Sequence, residues 1–262
     1  MTQSQKNTFH IEDDRNDHNK PLRLYKEICS KIDKSDKAKH KRKMAVDLLQ
    51  NFINSNFSNL KFNFEDHQLH VNQITKGFTE VTDIVIKTVF MFSTQQLHEL
   101  PSPTEAERLS VLAVGGYGRE EMAPFSDVDL LFLTPYKVTP WAESAIESML
   151  YILWDLKLRI GHATRSITDC LLMGKKDFAI RTPLLETRLI SGDENLVSEL
   201  DDRLWNELFQ SSTTEFVTAK LEERLLRHKK HGENRYLLEP NIKEGKGGLR
   251  DLQSLFWIAK YI

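Results

Sequence analysis

The stretch that decides the fold is VLAVGGYGREEMAPFSDVDLLFL, residues 111–133. It contains a short apolar strand, a glycine pair at Gly115 and Gly116, a loop of ten residues, and a second apolar strand that Asp127 and Asp129 open. Because side chains on a strand alternate between its two faces, the two aspartates are expected to point the same way. Their carboxylates are therefore predicted to lie close together.

The chemistry of these residues predicts a phosphate cradle that faces a metal site. Two neighbouring carboxylates repel each other unless a cation lies between them. Hard oxygen ligands of this kind suit Mg²⁺, which binds one or two carboxylates together with substrate phosphates. The glycine pair ends the first strand, where backbone without side chains could approach a phosphate closely.

The order and spacing of this pattern resemble the signature of the DNA polymerase β-like nucleotidyltransferase superfamily, a glycine pair followed by Asp-x-Asp on the next strand. The expected fold class is α+β, with a small mixed-sheet nucleotidyltransferase core flanked by N-terminal helices and a C-terminal helical domain. The expected boundaries are 1–70 for a polar N-terminus and helical extension, 71–172 for the core and 173–262 for the helical domain.

A narrower resemblance covers more than half of the chain. Besides GGYGREEMAPFSDVDLLFL, the stretches WDLKLRIGHATRSI, TPLLETRLISGD and NRYLLEPNIKEGKGGLRDLQSLFWIAKYI look like successive blocks of the bacterial PII uridylyltransferases. These sensors of nitrogen status attach UMP to the PII signal protein. The resemblance implies UTP as substrate, a PII tyrosine as acceptor and pyrophosphate as product.

The resemblance also assigns roles around the predicted site. Asp127 and Asp129 would bridge two Mg²⁺ ions, one of which would lower the pKa of the attacking hydroxyl while the other would hold the triphosphate. Backbone N–H groups near the glycine pair would bind the β- and γ-phosphates. The candidate nucleotide-binding residues are Gly115, Gly116, Tyr117, Gly118, Arg119 and Ser126.

Three of these side chains have an ordinary structural alternative. Arg119 could neutralise phosphate charge, or it could form a surface ion pair with Glu120 or Glu121. Tyr117 could stack on a base, or it could pack the loop. Ser126 could donate a hydrogen bond to a phosphate, although capping of its own loop is the more common role for such a serine.

This superfamily usually adds a third carboxylate from a later strand. Here that strand is RIGHATRSI, residues 159–167, which contains no Asp or Glu. Asp155 precedes it and Asp169 follows it, so the general base stays unassigned. His162 and Arg165 are candidates for substrate contact, with a structural role favoured for His162.

A second glycine-rich segment, KEGKGGLRD, precedes a predicted helix near the end of the chain. Such a turn can bind an anion at the helix N-terminus, and Lys243, Lys246 and Arg250 would reinforce that binding. The alternative is a tight turn that joins two helices, and the residues alone do not decide between the two.

Composition excludes several other classes of protein. The chain has 36 basic and 38 acidic residues and a net charge of −2. It therefore lacks the basic excess that would indicate a nucleic-acid partner. Its apolar runs are too short for a membrane span, and its N-terminus lacks the apolar core of a signal peptide. Two cysteines far apart in sequence favour a reducing, cytoplasmic setting.

The pattern of apolar residues predicts mostly helical structure outside the strands. Residues 1–20 are polar and are expected to be disordered. Thr139 and Pro140 have the residue types of an N-cap and a first helical position. Helices are predicted at 22–57, 74–92, 168–191, 194–210, 213–231 and from 249 onward, and strands at 111–114, 128–133 and 159–167.

The sequence stops at Ile262 inside an apolar helical pattern. The uridylyltransferases that it resembles are longer and carry an HD domain, which removes UMP, and two glutamine-sensing ACT domains. No His-Asp dipeptide occurs in the chain. We therefore expect the N-terminal part of a multidomain enzyme.

Three functions stay open at this point. The first is uridylylation of PII, and the second is adenylylation of another protein or a small molecule, since no residue distinguishes uracil from adenine. The third is a non-catalytic domain that binds nucleotide or a partner. This hypothesis stays open because the third carboxylate is missing from the predicted strand.

Overall fold

A four-stranded mixed sheet with strand order β3-β2-β1-β4 organises the chain. The computed structural model describes residues 19–32, 37–67, 69–230 and 241–262, so the expected disorder of residues 1–20 falls almost wholly outside them. The strands are β1 (Ser110–Ala113), β2 (Val128–Thr134), β3 (Ile160–Ser166) and β4 (Arg188–Gly192). The helices are α1 (Lys20–Ser30), α2 (Ala38–Glu65), α3 (Val71–Phe92), α4 (Gly115–Gly118), α5 (Pro140–Asp155), α6 (Ile167–Lys176), α7 (Phe178–Leu184), α8 (Glu194–Leu204), α9 (Thr213–Lys230) and α10 (Leu249–Tyr261).

The sheet combines both kinds of strand pairing. Strand β1 pairs antiparallel with β2 on one side and with β4 on the other, whereas β2 pairs parallel with β3. A parallel pair needs a crossover connection, and α5 supplies it between β2 and β3. Its start matches the sequence prediction, because the Thr139 side chain accepts a hydrogen bond from the Ala142 N–H at 3.2 Å and Pro140 is the first helical residue.

Helices cover both faces of the sheet, so each strand contributes to two cores. On one face, Val111, Ala113, Leu130 and Phe132 pack with the N-terminal helices α1, α2, α3 and with α5. On the other face, alternate residues of the same strands pack with the later helices α6 to α10; these strand residues are Leu112, Leu131 and Leu133. This alternation explains why β1 and β2 are almost continuously apolar.

The α+β class and its flanking helices confirm the sequence prediction. Helix α3 and strands β1, β2 and β3 lie within three residues of their predicted bounds, because long periodic or apolar runs are the strongest local signals. None of the helices that the structure describes is long and apolar enough to cross a lipid bilayer.

The predicted single helix over 168–191 is wrong. Asp177 ends α6 and accepts a hydrogen bond from the Ala179 N–H at 2.7 Å, which starts α7. Residues 188–192 then form β4, which extends the sheet beyond β1. A strand of five residues has too little local pattern to identify, and its pairing with a strand some 75 residues earlier in sequence supplies its stability.

Candidate active site

Asp127 and Asp129 lie where β2 begins, next to β3. The Val128 N–H donates to the Arg159 carbonyl at 2.8 Å, and Asp129 lies opposite Gly161 in the parallel pair. Asp127 is exposed and precedes the strand, whereas Asp129 is partly buried within it. Strand alternation puts Asp129 on the same face as Leu131 and Leu133, the face that α6 to α10 cover.

The electrostatics of Asp129 reflect both its burial and its neighbours. Burial raises the pKa of this carboxyl above its ordinary value, and the negative charge of Asp127 raises that pKa further. The positive charge of Lys243 acts in the opposite direction. The two aspartates are therefore close enough to repel, as the sequence predicts, and a cation between them would relieve that repulsion.

Two glycines make room for the Asp129 carboxylate. A Cβ atom on Gly115 would lie 3.6 Å from Asp129 Oδ2, and one on Gly161 would overlap Asp129 Oδ1. Gly115 also has a positive φ of 60°, which favours glycine. The end of β1, the start of β2 and the start of β3 thus converge on one carboxylate.

The glycine pair opens a single helical turn, α4, directly after β1. The first N–H groups of a helix have no acceptor within it, so those at Gly115, Gly116 and Tyr117 are directed out of its N-terminal end. A Cβ atom on Gly116 would meet only Arg119 Nη2, at 3.7 Å, whereas one on Gly118 would overlap the Glu186 carbonyl oxygen. Gly116 is therefore open to a ligand, while Gly118 is a packing residue.

The side chain of Tyr117 packs the turn and does not face the cleft. It is 2% exposed, and its hydroxyl donates to Asp83 Oδ1 at 2.7 Å. Arg188 Nη1 donates to Asp83 Oδ2 at 2.6 Å, which anchors the turn to α3 and β4. Burial, followed by the charge of Asp83, raises the pKa of Tyr117 well above its ordinary value. Base stacking by Tyr117 is excluded, and only its backbone N–H can serve a phosphate.

Arg119 makes an ion pair with Glu121, one of the two alternatives from the sequence, and a second ion pair with Glu186. Its Nε donates to Glu121 Oε2 at 2.8 Å, and its Nη1 donates to Glu186 Oε1 and Oε2 at 2.7 and 2.8 Å. Glu120 instead lies 3.6 Å from the Nε of Arg188. Sequence reasoning missed Glu186, which lies 67 residues beyond Arg119 in the chain.

Ser126 caps its own loop, in line with the structural alternative. Its Oγ accepts a hydrogen bond from the Ala123 N–H at 2.9 Å, and its own N–H donates to the Ala123 carbonyl at 3.0 Å. These bonds shape the loop that leads into Asp127.

A cleft of about 300 Å³ begins at Asp129 and runs along β3. Gly115, His162 and Arg165 line it, so both β3 residues that the sequence offers as candidates for substrate contact lie at this cleft. The opposite wall comes from α7 and is apolar, formed by Ala179, Ile180, Pro183 and Leu184. No local signal could identify that wall, because α7 reaches the cleft only through the packing of the later helices on the sheet.

The two acids nearest to β3 in sequence are engaged elsewhere. Asp169 accepts hydrogen bonds from the Ser166 N–H and Oγ, at 3.1 and 2.6 Å, and thereby caps α6. Asp155 forms an ion pair with Arg42 at 2.8 Å. Within the part of the chain that the structure describes, no group of three acidic, histidine or cysteine side chains could hold a metal ion.

The predicted anion site at the start of α10 is already filled by a side chain of the protein. Asp251 Oδ2 accepts from the Gly247 N–H at 2.8 Å, and Oδ1 accepts from Arg227 Nη2 at 2.6 Å. His228 Nε2 lies 2.9 Å from Oδ2. These bonds lower the Asp251 pKa to about 2, although burial acts in the opposite direction. Of the two interpretations that the sequence left open, these bonds favour a structural turn over a free anion at this helix N-terminus.

The three cations of this segment have different surroundings. Lys243 is exposed and acts electrostatically on Asp129, and Lys246 is exposed. Arg250 Nη1 donates to Gln253 Oε1 at 2.8 Å, and its guanidinium lies 5.6 Å from the centre of the Trp257 ring. Of the three, Lys243 is the one whose charge lowers the Asp129 pKa.

The donor set around Asp129 fits Mg²⁺ with few protein ligands. Two carboxylates whose charges are mutually unfavourable provide hard oxygen ligands, and the adjoining glycine turn leaves space for phosphate oxygens. Mg²⁺ commonly takes its remaining ligands from water and substrate phosphates, so a site with two carboxylates is chemically sufficient.

A mixed sheet with a glycine turn after β1 and a carboxylate pair at the start of β2 defines the nucleotidyltransferase class. Comparison with protein families agrees with it. Residues 215–262 match the model of GlnD PII-uridylyltransferase. Residues 9–163 match the model of glutamate-ammonia ligase adenylyltransferase.

Curated relatives extend the similarity across most of the chain. A bifunctional uridylyltransferase/uridylyl-removing enzyme of Ruegeria pomeroyi is 54% identical over 221 residues, which is 84% of this chain and 24% of the relative. Enzymes of the same name from Cereibacter sphaeroides and Rhodopseudomonas palustris are 56% and 50% identical over 76% and 74% of this chain, in each case 21% of the relative.

The long alignment decides between the two family matches. With 221 of 262 residues aligned, at most 262 − 221 = 41 residues are missing at the ends, so the similarity to the first relative includes the glycine turn and both aspartates. The chain belongs to the family of bacterial bifunctional uridylyltransferase/uridylyl-removing enzymes. It spans about a quarter of the length of the curated relatives that it matches.

Proposed function

We propose that this chain transfers UMP from UTP to a tyrosine of a PII signal protein. The observation that carries the proposal is the Asp129 carboxylate, which lies between Gly115 and Gly161, beside Asp127, at the start of the cleft. In the reaction, the tyrosine oxygen forms a bond to the α-phosphorus of UTP. The bond from that phosphorus to the oxygen bridging the β-phosphate breaks, pyrophosphate leaves, and the phenolic proton passes to solvent.

The chain's own groups mainly position the reactants and balance their charge. Backbone N–H groups at the start of α4 bind the β- and γ-phosphates. Asp127 and Asp129 would hold Mg²⁺, with two ions expected. When bound, this metal neutralises phosphate charge and favours ionisation of the attacking hydroxyl. Lys243 approaches from the loop before α10 and adds positive charge beside the carboxylates.

The cleft wall determines how the nucleoside lies. Gly161 leaves room for the Asp129 carboxylate beside the cleft, and the apolar surface of Ile180 and Pro183 accepts the flat face of a base. Arg165 and His162 on β3 are available to the sugar and phosphates.

Cys29 and Cys170 are both free thiols, so we also propose a reducing cytoplasmic setting.

A second candidate is transfer of AMP from ATP. The match of residues 9–163 to the adenylyltransferase model favours it, because that range includes the glycine turn, both aspartates and the first four residues of β3. The side chains along the cleft do not select uracil over adenine by an evident hydrogen-bond pattern, so a direct comparison of nucleotides is needed.

The decisive experiment incubates the chain with purified PII and MgCl₂ and supplies either α-³²P-labelled UTP or α-³²P-labelled ATP. We expect label on PII from UTP, lost when the PII tyrosine is replaced by phenylalanine, and absent with Asp129→Asn. Label from ATP alone would favour the second candidate. Mg²⁺-dependent binding of UTP without transfer of label would reduce the function to nucleotide binding.

A further inference from the structure

Glu186 occupies a buried position between the glycine turn and the C-terminal helix. It lies between α7 and β4 and is 3% exposed. Both of its carboxylate oxygens accept from Arg119 Nη1, at 2.7 and 2.8 Å, and Oε1 also accepts from the indole N–H of Trp257 on α10. Such charge-assisted bonds fix the geometry of a guanidinium more firmly than neutral bonds do.

The same residue also supports the backbone of the glycine turn. The Glu186 carbonyl oxygen lies where a Cβ atom on Gly118 would stand, so the turn rests directly on the Glu186 backbone. Side chain and backbone of one residue thus contact α4 at two points, Arg119 and Gly118, that flank its C-terminal end.

The bonds to Arg119 leave one edge of its guanidinium available. Nε donates to Glu121 and Nη1 donates to Glu186, while Nη2 has no acceptor among the residues that the structure describes. Nη2 lies 3.7 Å from the position of a Cβ atom on Gly116. This is the part of the turn that is open to a ligand.

We infer that Glu186 is a positioning residue for nucleotide binding, because it holds Arg119 so that Nη2 faces a triphosphate oxygen above Gly116. The inference rests on the proposed function and names a contact within that site. Both interpretations of Arg119 from the sequence then hold together. The ion pairs orient the guanidinium, and its free edge donates to the phosphate. Trp257 keeps the Glu186 carboxylate in place from α10.

The charge of the cluster is compatible with this role. Burial opposes the charged form of Arg119, but hydrogen bonds and attraction from Glu121 and Glu186 raise its pKa overall. The guanidinium therefore stays protonated beneath the turn. A planar guanidinium with five N–H donors can satisfy two carboxylates and still donate to a phosphate.

The test compares UTP with UMP, because only UTP places β- and γ-phosphates over the turn. Affinities of the full chain and of Glu186→Gln are measured by calorimetry in MgCl₂. Glutamine has nearly the same size but accepts with one oxygen and loses the charge that orients Arg119. We expect the UTP affinity to fall about tenfold, the effect of one misdirected charged hydrogen bond, with the UMP affinity unchanged. A matched control is Glu207→Gln, which breaks an exposed pair with Arg203 at 2.7 Å.

The outcomes separate the inference from the proposed function. Wild-type protein that binds neither nucleotide would refute the function itself. The positioning role alone would be overturned if wild type binds UTP normally and Glu186→Gln leaves the ratio of UTP to UMP affinity unchanged. Equal losses for both nucleotides would also overturn it, since a general structural defect has that signature.

A second variant decides the matter if Glu186→Gln does not fold. Trp257→Phe removes the indole N–H donor together with part of the buried ring system, and it keeps both groups that form the bonds between Arg119 and Glu186. We expect it to weaken UTP binding more than UMP binding, while its circular dichroism spectrum stays native. A folded Trp257→Phe protein with an unchanged ratio would assign Glu186 to folding and overturn the inference.

Discussion

The carboxylate of Asp129 lies directly against the backbone of Gly161, its partner in the parallel β2–β3 pair. A Cβ atom on Gly161 would overlap Asp129 Oδ1, whereas the Asp129 Cα is 4.0 Å away. A side chain at position 161 would thus displace the carboxylate without touching the strand backbone. The glycine therefore determines where a metal ligand can point, and it lies on the very strand that lacks an acidic residue.

Gly161→Ala should weaken Mg²⁺-dependent UTP binding by about tenfold or more, because the Asp129 carboxylate must rotate away from the cleft. The melting temperature should change little, since the overlap involves a side-chain oxygen that can move. Calorimetric titration and thermal unfolding measure the two effects. Gly77→Ala is a suitable control, because its Cβ atom would likewise overlap the end of a flexible side chain, that of Leu60 between α2 and α3, away from the cleft. UTP affinity equal to that of wild type would show that this glycine has no part in the site.

Asp127→Asn and Asp129→Asn should each reduce UMP transfer at least about 100-fold while the protein stays folded. For Asp129 the effect on stability has a definite sign. Its folded-state pKa is raised, so the folded state binds more protons than the unfolded state and stability falls as pH rises through the carboxyl range. Without metal at pH 7, Asp129→Asn should be at least as stable as wild type. The exposed Asp202→Asn is the control, and near-normal transfer by either active-site variant would remove the assignment.

Removal of Mg²⁺ should abolish tight binding of UTP. Two adjacent carboxylates and a triphosphate carry charge of the same sign, and a divalent cation is needed to bring them together. Calorimetry with MgCl₂ and with EDTA measures the difference directly, without any acceptor protein. Equal affinities in the two buffers would argue against a metal that bridges carboxylates and phosphates.

Gly116→Val and Gly118→Ala should have opposite profiles. Valine at position 116 fits the fold but occupies the place of a phosphate, so UTP binding should fall more than stability does. Alanine at position 118 would overlap the Glu186 carbonyl oxygen and come within 3.1 Å of the Ala113 carbonyl oxygen, both backbone atoms, and should lower the melting temperature. Unfolding in urea and UTP titration distinguish them. A collapse of stability in Gly116→Val would reassign that glycine to the fold.

Asp251→Asn should remove a pH-dependent part of the stability. The pKa of Asp251 is about 2 in the folded protein, against 3.8 ordinarily, so the unfolded state binds more protons between these values. The contribution is complete above about pH 4 and is lost as pH falls through about 2. At pH 7 the variant should lose about 1–3 kcal/mol, as expected for bonds to a charged group. Urea unfolding at pH 7 and pH 3 tests this, and a stability difference that did not shrink on acidification would contradict it.

Some features of the site could be predicted because their causes are local. The alternation of side chains along a strand predicts that Asp127 and Asp129 lie close together. The glycines at Gly115 and Gly116, which have no side chain, mark the turn. The apolar runs of β1 and β2 indicate strands covered on both faces, and the structure has helices on both. Thr139 and Pro140 likewise start α5 as predicted.

Other features depend on contacts between residues far apart in the chain. Arg119 could bind phosphate or pair with a neighbour, and its actual partner Glu186 is 67 residues away. Strand β4 carries too weak a pattern to identify alone and forms because β1 offers it an edge. The glycine-rich segment before α10 has the composition of an anion site, but Asp251 of the same chain fills it.

The sequence by itself thus determined the class of fold, the carboxylate pair and the open glycine turn, because strand period and glycine geometry act over a few residues. Only the tertiary structure decided which side chains complete the site. Gly161 lies beneath Asp129, α7 forms the far wall of the cleft, and Glu186 and Trp257 hold Arg119 under the turn. These relationships arise when the sheet and its two layers of helices pack together. Burial of apolar surface is non-directional, so no local sequence pattern identifies these partners.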